Sequence, residues 1–308
     1  MSKRISFVVP VFRNSGSLEP THIRIKDLLH QLGYEGEIVF VNDGSDDGSL
    51  RELEDLHQKD PDVKVISFSR NFGQVAAITA GFRAATGDCA ILMSADLQDP
   101  IEKAEEMIRK WESGSEIAIC FRADREDSFF ARMTSAFFYR LIKVALPKMP
   151  EGGFDFLLLD KKVLIEFNKL DERNRFFQGD ILWLGFNVTF IPYRRQKRTI
   201  GKSQWSFSKK LKYFIDGLLN TSYIPIRLMS VFGLMTALTG FFYAFVIIYY
   251  RLIEDVPFSG WAPIMILILI IGGIIMLMLG IIGEYLWRSY DESRKRPLYI
   301  IDKKFGLE

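Results

Sequence analysis

The 308-residue chain is long enough for one or two domains, and its formal net charge of +2 gives no argument for a nucleic-acid partner. Its two cysteines, Cys89 and Cys120, both lie in apolar runs, which excludes a disulfide framework and suits a reducing compartment. Met1 to Arg4 lead straight into a strand-like run, so no amino-terminal signal peptide is expected.

Short β-rich runs occupy residues 4–11, 37–42, 63–69, 88–94 and 116–121, with helical patterns at about 18–32, 49–58, 73–85 and 101–112. This alternation predicts a mostly parallel sheet covered by helices on both faces. The three histidines, His22, His30 and His57, fall on polar helical stretches without metal-ligand spacing and read as surface residues. The first strand runs into Pro10-Val11-Phe12-Arg13-Asn14 and lacks a following G-x-G-x-x-G, so a dinucleotide site is weakly supported. The second ends in Asn42-Asp43-Gly44-Ser45. Asp43 there can accept from a base N–H or a ribose hydroxyl, or simply belong to an acidic turn. Ser49 and Glu52 read as a capping box for the next helix. The third strand ends in Ser69-Arg70-Asn71-Phe72-Gly73.

The run Ile91-Leu-Met-Ser94-Ala95-Asp96-Leu-Gln98-Asp99-Pro100 carries the most chemistry. It reads as a buried strand ending in an acidic loop. Asp99 would be the N-cap of the next helix, with Pro100 first in the helix and Glu102 closing a capping box. Asp96 and Gln98 then lie at the carboxyl edge of the sheet, where open α/β sheets bind ligands. Two residues apart on extended chain, they point the same way. A carboxylate and an amide oxygen suit Mg²⁺ or Mn²⁺ that also holds a diphosphate. A solvated loop is the competing reading.

After the fifth strand and Arg122, residues 126–145 form an amphipathic, Phe- and Tyr-rich pattern with interleaved basic residues. Such a helix can lie in a membrane interface or pack on a core. Arg132 and Ser135, three apart, share one helical face. Further on come Gly152-Gly-Phe-Asp155, the basic loop Arg194 to Trp205, which includes Arg198, and a second amphipathic stretch, Ser208 to Leu219. Leu228 to Tyr250 and Val256 to Gly283 carry no charge, and each exceeds the ~20 residues a transmembrane helix needs.

Taken together, Pro10-Val11-Phe12, Val41-Asn-Asp-Gly-Ser45, Arg70-Asn-Phe-Gly73 and Ser94-Ala-Asp-Leu-Gln-Asp-Pro100 resemble the motifs of family 2 inverting glycosyltransferases. They resemble most the polyprenyl-phosphate glycosyltransferase and dolichol-phosphate mannose synthase branch, and within it the bactoprenol glucosyltransferase group with its two carboxyl-terminal spans. The resemblance implies a GT-A type fold. It implies nucleotide-sugar contacts from Pro10, Val11, Phe12, Asn14, Asp43, Asn71, Gly73, Ser94, Ala95 and Arg198, the last on a loop that would close over the donor diphosphate or else face lipid. It puts a metal, Mg²⁺ or Mn²⁺, on Asp96 and Gln98. Ser94 stands where the family's run has its first Asp. Asp155 matches the family's acidic residue near the acceptor, while Leu157 stands where an Arg is usual. Acceptor-phosphate contacts fall to Arg122, Arg132 and Ser135.

The expected organisation is a glycosyltransferase domain over residues 1–207, a juxtamembrane helix over 208–224, two transmembrane helices over 225–287 and a cytoplasmic tail over 288–308. The expected activity is transfer of one sugar from a UDP-sugar, by resemblance UDP-glucose, to undecaprenyl phosphate. It would proceed with inversion, at the cytoplasmic face of the cell membrane, with the bilayer as a partner and the oligomeric state, homo-oligomer or monomer, left open. Catalytic roles fall to Asp96 and Asp155. Two rivals stand beside it. A processive polysaccharide synthase is disfavoured by the missing Gln-x-x-Arg-Trp and by having only two spans. A non-catalytic membrane scaffold rests on Ser94 alone.

Overall fold

The computed structural model describes residues 3–122, 143, 146–150, 153–194, 217, 224–253 and 261–307. They divide into two compact units, one built from the amino-terminal residues to Gly217 together with Pro297–Glu308, the other from Leu218–Arg296.

In the first unit the chain runs β1 (Arg4–Val11), α1 (Leu18–Leu32), β2 (Glu35–Asn42), α2 (Ser49–Lys59), β3 (Val63–Phe68), α3 (Gln74–Ala84), β4 (Cys89–Leu92), α4 (Ile101–Glu112) and β5 (Ile117–Arg122). It continues with β6 (Phe156–Asp160), α5 (Lys161–Lys169), α6 (Phe177–Trp183) and β7 (Val188–Tyr193). The eight-stranded sheet has the order β7-β5-β6-β4-β1-β2-β3-β8, where β8 is Ile301–Phe305. Strands β4, β1, β2 and β3 are mutually parallel, β6 is antiparallel to β4 and β5, and β8 is antiparallel to β3.

Alternation along the strands builds two cores. Phe7, Val9, Ile38 and Phe40 pack beneath α1, α2 and α4, whereas Val8, Val39 and Val41 face α3, α5 and α6. Burial on both faces is why these strands read as unbroken apolar runs. Cys89 and Cys120 are free and buried, so they act as small core residues. His22 and His57 are less exposed than expected. The His22 ring lies 2.9 Å from the Asp60 carboxylate, and His57 Nδ1 lies 2.7 Å from the Val63 carbonyl.

Both expected capping boxes are replaced by longer-range bonds. Helix α4 is preceded by Pro100 and has no side-chain cap. Asp99 turns away from it, into the loop after β4. Helix α2 is preceded by Gly48, also without a side-chain cap. Glu52 instead accepts from the amides of Gly16 (2.7 Å), Leu18 (3.1 Å) and Glu19 (3.0 Å), and so caps α1 from a neighbouring helix. A carboxylate at a helix amino terminus satisfies orphan N–H groups and opposes the positive end of the helix dipole. The geometry of α1 offered three such donors at once, which a local cap on α2 does not.

The second unit contains α7 (Ile224–Ile253) and α8 (Trp261–Ser293), of 30 and 33 residues. At ~1.5 Å per residue each exceeds the ~30 Å hydrocarbon core of a bilayer. Their apolar side chains face outward: Phe242 is 72% exposed and Met276 71%. Core helices of water-soluble proteins bury such residues, so the two are helices long and apolar enough to cross a membrane. The segment read as a tail differs from expectation in one respect, because Ile301–Phe305 forms β8 and completes the sheet of the first unit.

Candidate active site

Three parallel strands deliver their carboxyl ends to one edge. Val11, Asn42 and Phe68 end β1, β2 and β3, and the chain after Leu92 of β4 emerges beside them. Beyond β1, the Phe12 amide donates to Asn14 Oδ1 (2.9 Å), Arg13 takes a left-handed φ of 56°, and the Asn14 amide donates to Ser49 Oγ (3.0 Å). The Arg13 guanidinium grips Asp46 through two 2.6 Å bonds, an exposed pair that tethers the β1 and β2 turns with little effect on stability.

Asp43 is buried. Its carboxylate accepts from the amides of Phe72 (2.6 Å) and Gly73 (3.0 Å), and its own amide donates to the Val11 carbonyl (2.8 Å). It therefore shapes the loop carrying Asn71 and Gly73 and joins it to β1 and β2. Gly44 is required beside it. Its φ is +64°, and a Cβ there would lie 2.3 Å from the Arg70 carbonyl carbon and 2.6 Å from the Asn71 nitrogen. Pro10, Val11, Phe12, Asn14, Asp43, Asn71 and Gly73 thus gather at one edge, as the motifs predict.

The acidic loop is more compact than the sequence pattern implies. Leu97 has φ 58°, so Asp96 and Gln98 lie on a turn, not on extended chain, and the expectation that their side chains point alike from a strand fails. Asp96 Oδ1 accepts from the Gln98 amide (3.2 Å), closing that turn. Ser94 Oγ lies 2.8 Å from Asp96 Oδ1 and 2.5 Å from Asp99 Oδ2, and the Ser94 amide donates to Asp99 Oδ2 (2.9 Å). Ser17 Oγ holds the loop from the other side at the Ala95 carbonyl (2.7 Å).

Among the described residues no group of three or more His, Cys, Asp or Glu side chains surrounds a cation position. The donors that are present are nonetheless suitable. A carboxylate, a hydroxyl and an amide oxygen in one short loop form a hard, oxygen-only set, and Mg²⁺-type ions commonly take one or two carboxylates with the rest from phosphates and water. The hydroxyl has one proton and two carboxylate neighbours. When that proton points along the shorter contact to Asp99, Ser94 Oγ and Asp96 Oδ1 face each other lone pair to lone pair at 2.8 Å. Adjacent oxygens around an octahedral ion with ~2.1 Å bonds are about 3 Å apart. The set fits a divalent cation.

On the acceptor side, Arg122 ends β5, Tyr193 ends β7 and Asp155 precedes β6, whose amino end lies at the same edge because it runs antiparallel. Arg122 Nη2 donates to Asp155 Oδ2 (3.0 Å). Burial opposes the guanidinium charge, but Asp155, Tyr193 and Asp99 together raise its pKa above the usual value. Burial pushes the Tyr193 hydroxyl up as well, with Asp99 and Asp155 adding to the effect, so it remains a neutral donor. Tyr193 was not singled out by sequence, and Asp99 only as a helix cap. Tyr193 sits two residues after a buried isoleucine in a strand, and Asp99 had a plausible local role as a cap. Arg132, Ser135 and Arg198, with most of the predicted 126–145 helix and the 208–219 stretch, lie outside the described residues.

Comparison with known proteins agrees with this arrangement. Residues 6–168 match the model of glycosyl transferase family 2. An uncharacterized glycosyltransferase of Bacillus subtilis (strain 168), YkcC, is 41% identical over all of this chain and 97% of its own. The bactoprenol glucosyl transferase of Shigella phage SfV is 36% identical over 97% of this chain and 98% of its own. Among solved structures, glucosyl-3-phosphoglycerate synthase from Mycobacterium tuberculosis, in complex with Mn²⁺, UDP-glucose and phosphoglyceric acid, superposes with a TM-score of 0.50 at 14% identity. That match covers 71% of this chain and 79% of the synthase, and it bears on the fold alone. With a GT-A-like sheet, its loops gathered at one edge and relatives alike over their whole length, the chain belongs to glycosyl transferase family 2.

Proposed function

We propose that this enzyme transfers a single glucosyl unit from UDP-glucose to undecaprenyl phosphate, with inversion, at the cytoplasmic face of the cell membrane. The observation that carries this reading is the likeness to a bactoprenol glucosyl transferase over 97% of the chain, which takes in both long apolar helices as well as the sheet. Such helices suit a lipid-linked acceptor, whose chain stays in the bilayer while its phosphate reaches the sugar.

The donor nucleotide would lie over Pro10, Val11, Phe12, Asn14, Asp43, Asn71, Gly73 and Ala95, with Arg198 closing on the diphosphate. A cation, Mg²⁺ or Mn²⁺, held by Asp96 and Gln98 with help from Ser94, would neutralise charge on the leaving UDP. The acceptor phosphate has a second pKa of ~6, so at neutral pH it is already largely a nucleophile and needs orientation more than deprotonation. Arg122 supplies a guanidinium at the edge, and a planar fork suits a phosphate because it offers parallel charge-assisted bonds. Arg132 and Ser135 would add further donors. Asp155, held by Arg122 at 3.0 Å, is positioned to trade that partner for the incoming acceptor group and to orient it, or to serve as the base.

The test is product formation by the detergent-solubilised enzyme given undecaprenyl phosphate and a panel of UDP-sugars with and without Mg²⁺ or Mn²⁺. Cation-dependent UDP release and a β-linked glucosyl lipid are expected from an α-linked donor. UDP release that ignores the lipid phosphate, or an α-linked product, would overturn the reading.

A further inference from the structure

We propose that Asp99 is a positioning residue that sets both halves of the cleft: it aims Ser94 at the cation and, through Tyr193, holds the Arg122–Asp155 pair. This rests on the glycosyltransferase reading above and assigns a role to a carboxylate that touches neither substrate.

Asp99 has no exposed surface. Burying a carboxylate is costly unless its oxygens are hydrogen-bonded, so the bonds it makes are the reason it can sit there. Its two oxygens serve different elements. Oδ2 takes the Ser94 amide (2.9 Å) and hydroxyl (2.5 Å) at the end of β4. Oδ1 accepts from the Tyr193 hydroxyl (3.3 Å) at the end of β7. Tyr193 is 3% exposed, pairs in register with Arg122 across β5 and β7, and packs its ring edge-on against Phe156, the neighbour of Asp155. Beside Tyr193 on the neighbouring strand, Arg122 donates to Asp155 (3.0 Å). Hydrogen bonds therefore join Asp96, Ser94, Asp99 and Tyr193, and strand pairing sets Arg122, with its bond to Asp155, directly beside the tyrosine.

The role at Ser94 follows from proton counting. A serine hydroxyl has one donor and two lone pairs. If the proton went to Asp96, no lone pair of Asp96 Oδ1 would be free on that side for a cation. Asp99, a carboxylate with no exposed surface and so in need of donors, draws the proton inward and leaves both Ser94 Oγ and Asp96 Oδ1 as acceptors facing one position. An asparagine at 99 must put its carbonyl toward the Ser94 amide, which leaves the Ser94 hydroxyl a neutral acceptor on that side against the charged carboxylate of Asp96, so its proton turns to Asp96; the NH₂ then faces Tyr193 and reverses the direction of that bond. The tyrosine proton then has to point elsewhere, and Arg122 loses the negative charge behind it.

Two readouts separate this role from mere folding. Mn²⁺ binding in the presence of UDP, measured by electron paramagnetic resonance on the detergent-solubilised full chain, reports the Ser94 arm without catalysis. Separate KM values for lipid phosphate and UDP-glucose report the Tyr193 arm. Partners in the outer shell of a metal site are typically worth ~10–100-fold in affinity. Asp99→Asn and Ser94→Ala should each weaken Mn²⁺ binding by about tenfold, and the double variant should be no weaker than the worse single one, since both act through one hydroxyl. Tyr193→Phe should leave Mn²⁺ binding unchanged and raise the KM for the lipid phosphate, not that for UDP-glucose. Unaltered Mn²⁺ affinity in a folded Asp99→Asn, or additive losses in the double variant, would overturn the role while leaving the transferase reading standing. Should Asp99→Asn not fold, unchanged Mn²⁺ binding in Ser94→Ala together with unchanged acceptor KM in Tyr193→Phe would overturn it equally. A wild-type enzyme that transfers glucose but binds no Mn²⁺ with UDP would overturn this proposal and the metal assignment, not the transfer itself.

Discussion

At the scale of single residues, two carboxylates show opposite balances of charge and burial. Asp96 is 7% exposed and closes its own turn through the Gln98 amide. Asp96→Asn can keep that bond while removing the charge, so the fold should survive with a melting temperature close to wild type. Losing a metal-stabilised leaving group costs several kcal/mol of barrier, and ~1.4 kcal/mol is tenfold in rate, so turnover should fall by about a thousandfold or more. Near wild-type rates of glucosyl transfer would remove Asp96 from the site. Asp180 shows the opposite balance. Burial pushes its carboxyl up to about 6 even though the Arg175 guanidinium, 2.8 Å away, lowers it. The folded chain therefore holds a proton that the unfolded chain releases near 3.8. That contribution to stability is present below the unfolded value and lost as pH rises through about 6. The melting temperature of wild type relative to Asp180→Asn should thus decline between pH 4 and 6 and level off above. A flat difference would mean that the Arg175 contact keeps Asp180 ionised throughout.

At the scale of elements, the helices of the first unit are fastened by neighbours as much as by their own ends. Glu52 on α2 receives three amides from the start of α1. Hydrogen bonds to a charged group contribute about 1.5–3 kcal/mol each when buried and less at a surface, and this cap is partly exposed. Glu52→Ala should accordingly cost about 1–2 kcal/mol, the upper range for losing a cap, read as a shift of the denaturation midpoint at unchanged m-value. A local capping box on α2 would predict the same loss with hydrogen exchange rising in α2. The observed geometry predicts faster exchange in the first turn of α1, and exchange confined to α2 would refute it. Asp43 works similarly on a loop: the bonds to Phe72 and Gly73 let one strand end shape another.

For the whole molecule, β8 constrains how the chain can thread a bilayer. It lies after α8 and hydrogen-bonds to β3 in the sheet that begins with β1. Strands of one sheet lie on one side of a membrane, so the chain between them must cross an even number of times, which supports the proposed hairpin of two spans. Charge supplies the direction. The linker from Arg251 to Trp261 has one basic residue with Glu254 and Asp255, whereas Arg288, Arg294, Lys295, Arg296, Lys303 and Lys304 follow the second span. On the proposed topology, the positive-inside rule would place the sheet and its returning strand in the cytoplasm. A single cysteine placed at Ser259, in a chain whose Cys89 and Cys120 are buried, should react with a membrane-impermeant thiol reagent added to intact cells or spheroplasts. Reaction only after lysis would reverse the orientation.

The order of elements through β5, the two long apolar helices and the loops at the sheet's carboxyl edge were legible in the sequence because their signals are local. A strand covered on both faces must be apolar throughout, a turn beside a ligand needs glycine and short polar side chains, and a span needs ~20 uncharged residues. Side-chain partnerships had no such signal. Glu52 could have capped α2, and Asp99 could have capped α4; only the packed fold brings Gly16 to the first and Tyr193, 94 residues away, to the second. The strand Ile301–Phe305 is short, charged and half exposed, so nothing in its pattern distinguishes it from a tail until the edge of β3 offers it a row of unpaired amides and carbonyls. The direction in which Asp96 and Gln98 point depends on a left-handed leucine that no propensity favours, held by contacts from Ser17, Ser94 and Asp99. Local patterns determined what the chain is made of, and competition among long-range hydrogen-bond partners decided which carboxylate does what.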